Sequence, residues 1–274
     1  MKISVSIVLY NPDNRVLHTI QNVLDATKNF EFVLYLIDNS ATNKFQNVIN
    51  EKFNSDKIVY IFNNKNIGFG AAHNIALRKE IDKATYHLIL NPDVSFEETV
   101  LPTLMNFMEA NKNVGSVMPK IIYPDGSIQY VAKLLPTPVD LIFKRFIPAS
   151  LIEKRMEQFQ LKFTGYNKQM NVPYLSGCFM FLRMEALQSV GLFDERFFMY
   201  PEDIDLTRRI HQKYETIFLP DVSVIHEHEQ GSYKNFRLLK IHIINMIKYF
   251  NKWGWVFDKE RRVVNKKVLN SLSK

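Results

Sequence analysis

Residues 32–40 read FVLYLIDNS. Six consecutive apolar residues, Phe32–Ile37, stop at Asp38-Asn39-Ser40. An unbroken apolar run closed by turn-forming polar residues fits a strand buried on both faces, and such strands belong to parallel sheets covered by helices. Three other runs have the same form. Ile3–Tyr10 (ISVSIVLY) ends at Asn11-Pro12, Ile58–Phe62 (IVYIF) ends at Asn63-Asn64-Lys65-Asn66, and His87–Leu90 ends at Asn91-Pro92-Asp93. The segments between them carry helical signals. Residues 14–28 repeat apolar positions at Val16, Leu17, Ile20, Val23 and Leu24; helices are also predicted over 43–53, from a loop at Gly68 to Lys79, and over 97–111. The resulting βαβαβαβ order predicts an α/β fold: a mostly parallel central sheet, flanked by helices, with right-handed crossovers.

Ligands on such sheets bind beyond the carboxyl ends of the strands. The polar clusters Tyr10–Asn11, Asp38–Asn39 and Asn91–Asp93 all occupy those ends.

The second half is less regular. It predicts a strand at Val114–Ile122, a tight turn at Tyr123–Ser127, and short helices or a mobile loop over 134–170. Tyr174–Arg183 reads as a strand bent at Ser176-Gly177. A short helix then runs to Val190 and stops at Gly191, and another opens at Pro201-Glu202-Asp203 and runs through Lys213. Two strands, Thr216–Leu219 and Val222–Ile225, precede a helix over 234–253. The expected organisation is one domain over 1–232, with a first lobe to about 112 and a second lobe beyond it. A basic helical tail over 233–274 follows.

Bulk properties narrow the class. The apolar fraction of 46% is that of a folded chain. One cysteine, Cys178, excludes an intrachain disulfide and a cysteine metal cluster. No signal-peptide pattern precedes the first strand, and no apolar stretch is long enough to span a bilayer. A cytoplasmic protein is expected. Of the net charge of +7, residues 233–274 carry eleven Lys and Arg against two acids, so the preceding body is slightly negative. A basic tail of this kind suits an anionic surface or plain solvation, not groove reading of nucleic acid, which would leave every strand-end acid unexplained.

Four segments could carry chemistry. Asp93, at the end of a buried strand, could hold a hard divalent cation such as Mg²⁺ or Mn²⁺ that bridges two phosphates, although Asn-Pro-Asp is also an ordinary turn. In Tyr200-Pro-Glu-Asp-Ile-Asp205, a carboxylate could take a proton from a reacting hydroxyl, or the acids could simply favour a helix start. Asn66-Ile-Gly68-Phe-Gly70-Ala-Ala-His73-Asn74 could let backbone approach a ligand. It is not a dinucleotide fingerprint, because His73 replaces the third glycine and the loop follows the third strand. His226 and His228 lie two apart at a strand end, so one of them faces the site. On the 234–253 helix, Lys234, Arg237, Lys240, Lys248 and Lys252 form a basic arc largely opposite Leu238, Leu239, Ile243, Met246, Phe250 and Trp253. The apolar face either packs on the domain or enters a membrane interface, with Trp253 and Trp255 as anchors.

In order, SIVLYN, IDNS, NIGFGAAHN, LNPDV, LSGCFMFLR and GLFDERFFMYPEDIDLTRR resemble the inverting family 2 glycosyltransferases of the GT-A fold. The likeness is to rhamnosyltransferase-type members that build O-antigen, capsule or wall polysaccharides, and it covers roughly residues 3–257. It implies transfer from dTDP-rhamnose or a UDP-hexose to a lipid-linked or oligosaccharide acceptor, at the inner face of the cytoplasmic membrane. By position, Tyr10, Asn11 and Asp38 would line the nucleoside pocket, and Asn66, Gly68, Gly70, Asn74 and Asn91 the rest of the donor site. Asp93 would be a ligand of Mg²⁺ or Mn²⁺, with His226 (or His228) beside it. Asn91 departs from the family's DxD motif by replacing its first acid. Glu202-Asp203 would be the family's ED motif, with Asp203 as general base. A homodimer is left open. The competing classes are a sugar-phosphate nucleotidyltransferase, which would want a glycine-rich basic loop where Asn11-Pro12-Asp13 stands, and a non-catalytic nucleotide-sugar-binding subunit.

Overall fold

The computed structural model describes residues 1–227 and 236–273. Its first half alternates β1 (Lys2–Leu9), α1 (Arg15–Thr27), β2 (Glu31–Asp38), α2 (Lys44–Lys52), β3 (Ile58–Phe62), α3 (Phe69–Glu80), β4 (Tyr86–Leu90), β5 (Val94–Ser95), α4 (Val100–Ala110) and β6 (Val114–Ile122). The second half holds β7 (Ala132–Lys133), α5 (Pro138–Leu141), α6 (Ala149–Phe159), β8 (Met170–Asn171), β9 (Tyr174–Leu175), β10 (Phe179–Arg183), α7 (Met184–Val190), α8 (Glu202–His211), β11 (Glu215–His226), α9 (Phe236–Trp253) and α10 (Lys259–Leu272). The main sheet runs β3-β2-β1-β4-β10-β6-β11-β5, with β8 beside β11, and β7 pairs with β9 separately.

β1 to β4 are mutually parallel, as the apolar runs predict. β10 lies antiparallel between β4 and β6, and this reversal carries the second half back to the strand ends of the first. β1 shows how the sequence sorts the faces. Ile3, Val5, Ile7 and Leu9 join the large core with α1 and α4, while Ser4 and Ser6 face the other side and are also fully buried. There Ser6 Oγ lies 2.7 Å from His73 Nδ1 and 2.7 Å from His87 Nε2, and Ser4 Oγ lies 2.7 Å from His87 Nδ1. Burial holds both imidazoles neutral, His87 at a pKa of about 3 and His73 well below its usual value. His73 thus pins α3 to the sheet.

Two expectations change. Thr216–Leu219 and Val222–Ile225 are one strand, β11, with a register shift between Leu219 and Ser223. Pro220 lacks the N–H that the ladder needs, so the strand bulges instead of ending. The C-terminal region holds a second helix, α10, beyond the expected one. The apolar face of α9 packs on the body: Met246, Tyr249 and Phe250 are buried with Leu141, Tyr174, Phe197 and Ile204. Its basic arc is partly used inside the fold, since Lys252 Nζ meets Asp194 (2.8 Å) and Asp205 (2.6 Å), and Lys248 Nζ donates to the Arg196 carbonyl (2.8 Å). Trp253 is half-buried, and its indole N–H donates to Asp205 (2.8 Å), so it is tied to the protein. Among the described residues, no helix is long and apolar enough to cross a membrane.

Candidate active site

The strand ends of β1 to β3 form one polar rim. Tyr10 is 58% exposed just past β1. Asn11 follows in a left-handed conformation (φ +48), and its N–H donates to Ser40 Oγ (2.7 Å). Asp38 is fully buried at the end of β2. One of its oxygens accepts the Ser40 N–H (2.8 Å) and the other the Tyr60 hydroxyl (2.5 Å), so it shapes the rim from beneath. An asparagine cluster shapes the next loop. Asn63 Nδ2 donates to Asn39 Oδ1 (2.9 Å), Asn39 Nδ2 donates to the Gly68 carbonyl (3.2 Å), and Asn66 Oδ1 accepts the Gly68 N–H (3.0 Å).

The two glycines of this loop serve a close approach, but to protein. Gly68 has φ +95, and a Cβ there would stand 2.5 Å from the Phe198 carbonyl oxygen. A Cβ on Gly70 would stand 2.9 Å from Phe193 Cβ. Asn74 is fully buried, accepts the Phe193 N–H (3.0 Å) and donates to the Phe193 carbonyl and to Glu195 (2.9 Å each). Gly70 and Asn74 therefore clamp the 193–198 segment, which leads into Glu202-Asp203.

A second group gathers at the ends of β4 and β11. Thr19 on α1 holds the Asn-Pro-Asp turn by donating to the Pro92 carbonyl (2.8 Å). β5 then pairs antiparallel with the end of β11, setting His226 opposite Val94. His226 Nε2 lies 3.5 Å from Asp93 Oδ1 and 3.3 Å from Asn91 Nδ2. Gln129 orients the ring: its Oε1 lies 2.9 Å from His226 Nδ1, and its Nε2 donates to the His226 carbonyl (2.7 Å). Burial opposes charging His226, but the neighbouring Cys178 and Asp93 outweigh it and raise its pKa to about 10. His226 is thus the histidine that faces Asp93; His228 lies outside the described residues.

Among the described residues, no set of three or more His, Cys, Asp or Glu is placed to hold a metal by itself. One carboxylate and the Asn91 amide, joined by the His226 ring nitrogen once a cation has displaced its Nε2 proton, fit a cation that brings most of its ligands as phosphate oxygens and water, the usual habit of Mg²⁺ and of metals in similar oxygen sites.

The third group is the acid pair at the start of α8, and both members are buried. Asp203 Oδ2 accepts the Gly177 N–H (2.9 Å), and Oδ1 accepts the Ile204 N–H (2.7 Å). Glu202 Oε2 has no partner. Burial raises both acids, Asp203 only to about 6 because these N–H groups and Lys133 favour its charge. Glu202 rises well above its usual value through burial and the charge on Asp203. Of the two, Asp203 is the more readily ionised, because the N–H groups and Lys133 favour its charge while Glu202 has neither. Just before it, Tyr200 holds φ +93, a strained conformation for a bulky residue.

One turn couples the two acid centres. Gly177 holds Asp203 through its N–H, and the carbonyl of the next residue, Cys178, accepts the Asn91 N–H (2.9 Å). The reversed strand β10 makes this contact by pairing Phe179 with Leu90. Two residues of the site are absent from the sequence reading. Gln129 has no motif around it. Lys133 is half-buried with its Nζ 5.2 Å from the centre of the Tyr174 ring, and burial lowers its pKa to about 8. A separate cavity of about 500 Å³ lies between α1 and β5, but its Asp25, Glu97 and Glu98 would repel phosphates.

Residues 4–191, more than half of the chain, match the Glycosyl transferase family 2 pattern. The chain belongs to glycosyl transferase family 2. A family relative from two strains of Mycobacterium tuberculosis, N-acetylglucosaminyl-diphospho-decaprenol L-rhamnosyltransferase, is 27% identical over 175 residues, covering 59% of this chain and 56% of the relative. The chain thus spans just over half the length of the curated relatives it matches. Solved structures share the GT-A fold. GalNAc-T7 with UDP, GalNAc and Mn²⁺ has a TM-score of 0.61 at 16% identity, covering 93% of this chain and 50% of that one. The mannosyltransferase PcManGT from Pyrobaculum calidifontis, with GDP-Man and Mn²⁺, has 0.59 at 14%, covering 99% and 72%. S. aureus TarS has 0.57 at 15%, covering 100% and 43%.

Proposed function

We propose that this family 2 protein is an inverting glycosyltransferase that moves a sugar, L-rhamnose from dTDP-rhamnose in the first instance and a UDP-hexose otherwise, onto a lipid-linked saccharide. The product would serve O-antigen, capsule or wall polysaccharide at the cytoplasmic face of the membrane. The rhamnosyl donor and lipid-linked acceptor are suggested by the mycobacterial relative. The observation that carries the reading is the single turn at Gly177-Cys178, which holds the base candidate Asp203 and the phosphate-end residue Asn91 from adjacent positions.

Asp203 accepts the proton of the acceptor hydroxyl. The hydroxyl oxygen bonds to the anomeric carbon from the face opposite the leaving group. The carbon–oxygen bond to the diphosphate breaks, its electron pair stays with the diphosphate, and configuration inverts. Tyr10, Asn11, Asp38 and Asn66, with the loop at Gly68, form the donor rim, and Gly70 and Asn74 set it against the base. Asp93 and His226, with Asn91, would hold Mg²⁺ or Mn²⁺. When bound, that cation supplies positive charge to the departing diphosphate.

The test screens nucleoside-diphosphate sugars for a rise in melting temperature, with and without Mn²⁺, and then follows the product's anomeric proton by NMR. dTDP-rhamnose should give a rise of several degrees that Asp93→Ala removes. Asp203→Asn should keep the rise and lose transfer. A product with retained configuration, or transfer by Asp203→Asn at near the normal rate, would overturn the reading.

A further inference from the structure

The C-terminal helices present an unusual edge. Between α9 and α10, the chain turns at Gly254 (φ +100) and leaves Trp255, Val256 and Phe257 exposed by 37%, 71% and 93%. This apex is rigidly framed. Asp258 caps α10 by accepting the Arg261 N–H (2.9 Å), and both its oxygens accept from the buried Arg208 (2.8 Å each). The Trp255 ring leans on Phe250, and its N–H donates to Asn251 (2.8 Å). Three adjacent large apolar side chains held outward by a fixed frame are costly in water unless something covers them.

The charge beside the apex identifies the cover. The outward face of α10 carries Lys259, Arg262, Val263, Lys266, Lys267 and Asn270, all exposed, at helical spacing and with no acid among them. Its inward face holds Arg261, Asn265 and Val268 against the body, where Asn265 exchanges two hydrogen bonds with the Leu135 backbone (2.9 Å each). Ile244 and Ile247 are exposed on α9, where helical periodicity puts them in line with Asn251. A second copy of the chain meeting this edge about a two-fold axis would set four cations against the same four. An anionic bilayer would instead take the aromatic apex into its interface and neutralise the basic face.

We propose that Trp255-Val256-Phe257, together with the basic outer face of α10, is a docking edge for an anionic lipid bilayer. Only its purpose rests on the function proposed above. Arg208, which locks the apex through Asp258, stands on α8 five residues after Asp203, about 8 Å along the helix. Docking would therefore fix the base relative to the membrane in which a lipid-linked acceptor sits.

The test is co-sedimentation of the full chain, without substrates, with vesicles of phosphatidylglycerol and phosphatidylcholine at about one to three, against pure phosphatidylcholine. The protein should partition onto the anionic vesicles and weaken with salt. The double substitution Val256→Ser/Phe257→Ser should lower partition roughly tenfold or more while leaving melting temperature and transfer to a short water-soluble acceptor unchanged. Lys266→Glu/Lys267→Glu should also weaken partition. The proposal falls if the wild-type chain ignores anionic vesicles, or if the apex variant partitions equally well. It also falls if the chain forms a dimer that the apex substitutions dissolve. Loss of vesicle binding with soluble transfer intact concerns this edge alone; vesicle binding without transfer from any nucleotide sugar concerns the proposed reaction alone.

Discussion

Asp203 and Glu202 are neighbours in sequence with opposite surroundings. Two backbone N–H groups point at Asp203, while Glu202 keeps an orphaned oxygen. Raising Asp203 from 3.8 to about 6 means that the folded state binds this proton more tightly than the unfolded chain. Folding stability from this group is therefore present in acid and lost as pH rises between those two values, a cost of roughly 3 kcal/mol at neutral pH. Activity should run the other way. In initial rates taken between about pH 5 and pH 8, kcat/KM should climb through an apparent pKa near that of Asp203. Glu202→Gln should keep this limb, because Asp203 is the more readily ionised of the two acids; Asp203→Asn should leave only background. A limb surviving in Asp203→Asn would assign it to another group. Lys133 favours the charged form of Asp203, so Lys133→Met should move the limb to higher pH by up to about one unit. An unmoved limb would free Asp203 of Lys133's influence. Asp203 could be picked out of the sequence as a base candidate, whereas Lys133 could not. It reaches the site only because β7 pairs with β9, two strands of two residues each that leave no periodic trace in the sequence.

The elements of the first half were readable because buried parallel strands are apolar throughout. All five residues of β4 and nearly all of β2 are buried, so YHLIL and FVLYLID could hardly be anything else. The glycine loop was readable as an element but not as to its contact. Gly68 and Gly70 signalled close approach, and only the tertiary fold could say that Phe198 and Phe193 are what approaches. This separates two views of the loop by experiment. Gly68→Ala places a Cβ in a positive-φ residue and 2.5 Å from a carbonyl oxygen, so the backbone must move. The expected loss is roughly 2–4 kcal/mol in urea unfolding, since both strain and overpacking add. Had the glycine only made room for a ligand, Gly68→Ala would lower nucleotide affinity and leave unfolding within about 0.5 kcal/mol of normal.

At the scale of the molecule, the C-terminal segment is the part that sequence described least well. KERRVVNKKVLNSL reads as part of a basic helical tail, for an anionic surface or plain solvation, yet Val268 is buried and α10 is capped by Asp258. The missing information was non-local, because α10 is held largely by Arg208, about fifty positions earlier. The Arg208 guanidinium is 2% exposed, binds both oxygens of Asp258, reaches Glu260 Oε2 (2.7 Å) and lies 4.0 Å from the centre of the Trp253 ring. Such a pair is strong evidence for architecture rather than for net stability, because desolvating both charges offsets much of their attraction. Removing one partner is different. Arg208→Met leaves Asp258 buried with Arg261, at 3.9 Å, as its one remaining cation among the described residues, and should cost roughly 3–5 kcal/mol in urea unfolding at neutral pH. The pH dependence identifies the cause. Asp258 is held below its ordinary pKa, so its contribution is present above the unfolded value and fades as pH falls through the folded one. The gap between wild type and Arg208→Met should therefore narrow in acid. A gap of equal size at neutral and acidic pH would mean that Arg208 acts by packing on Trp253, and the ion pair would lose its place as the tie between α8 and the C-terminal helices.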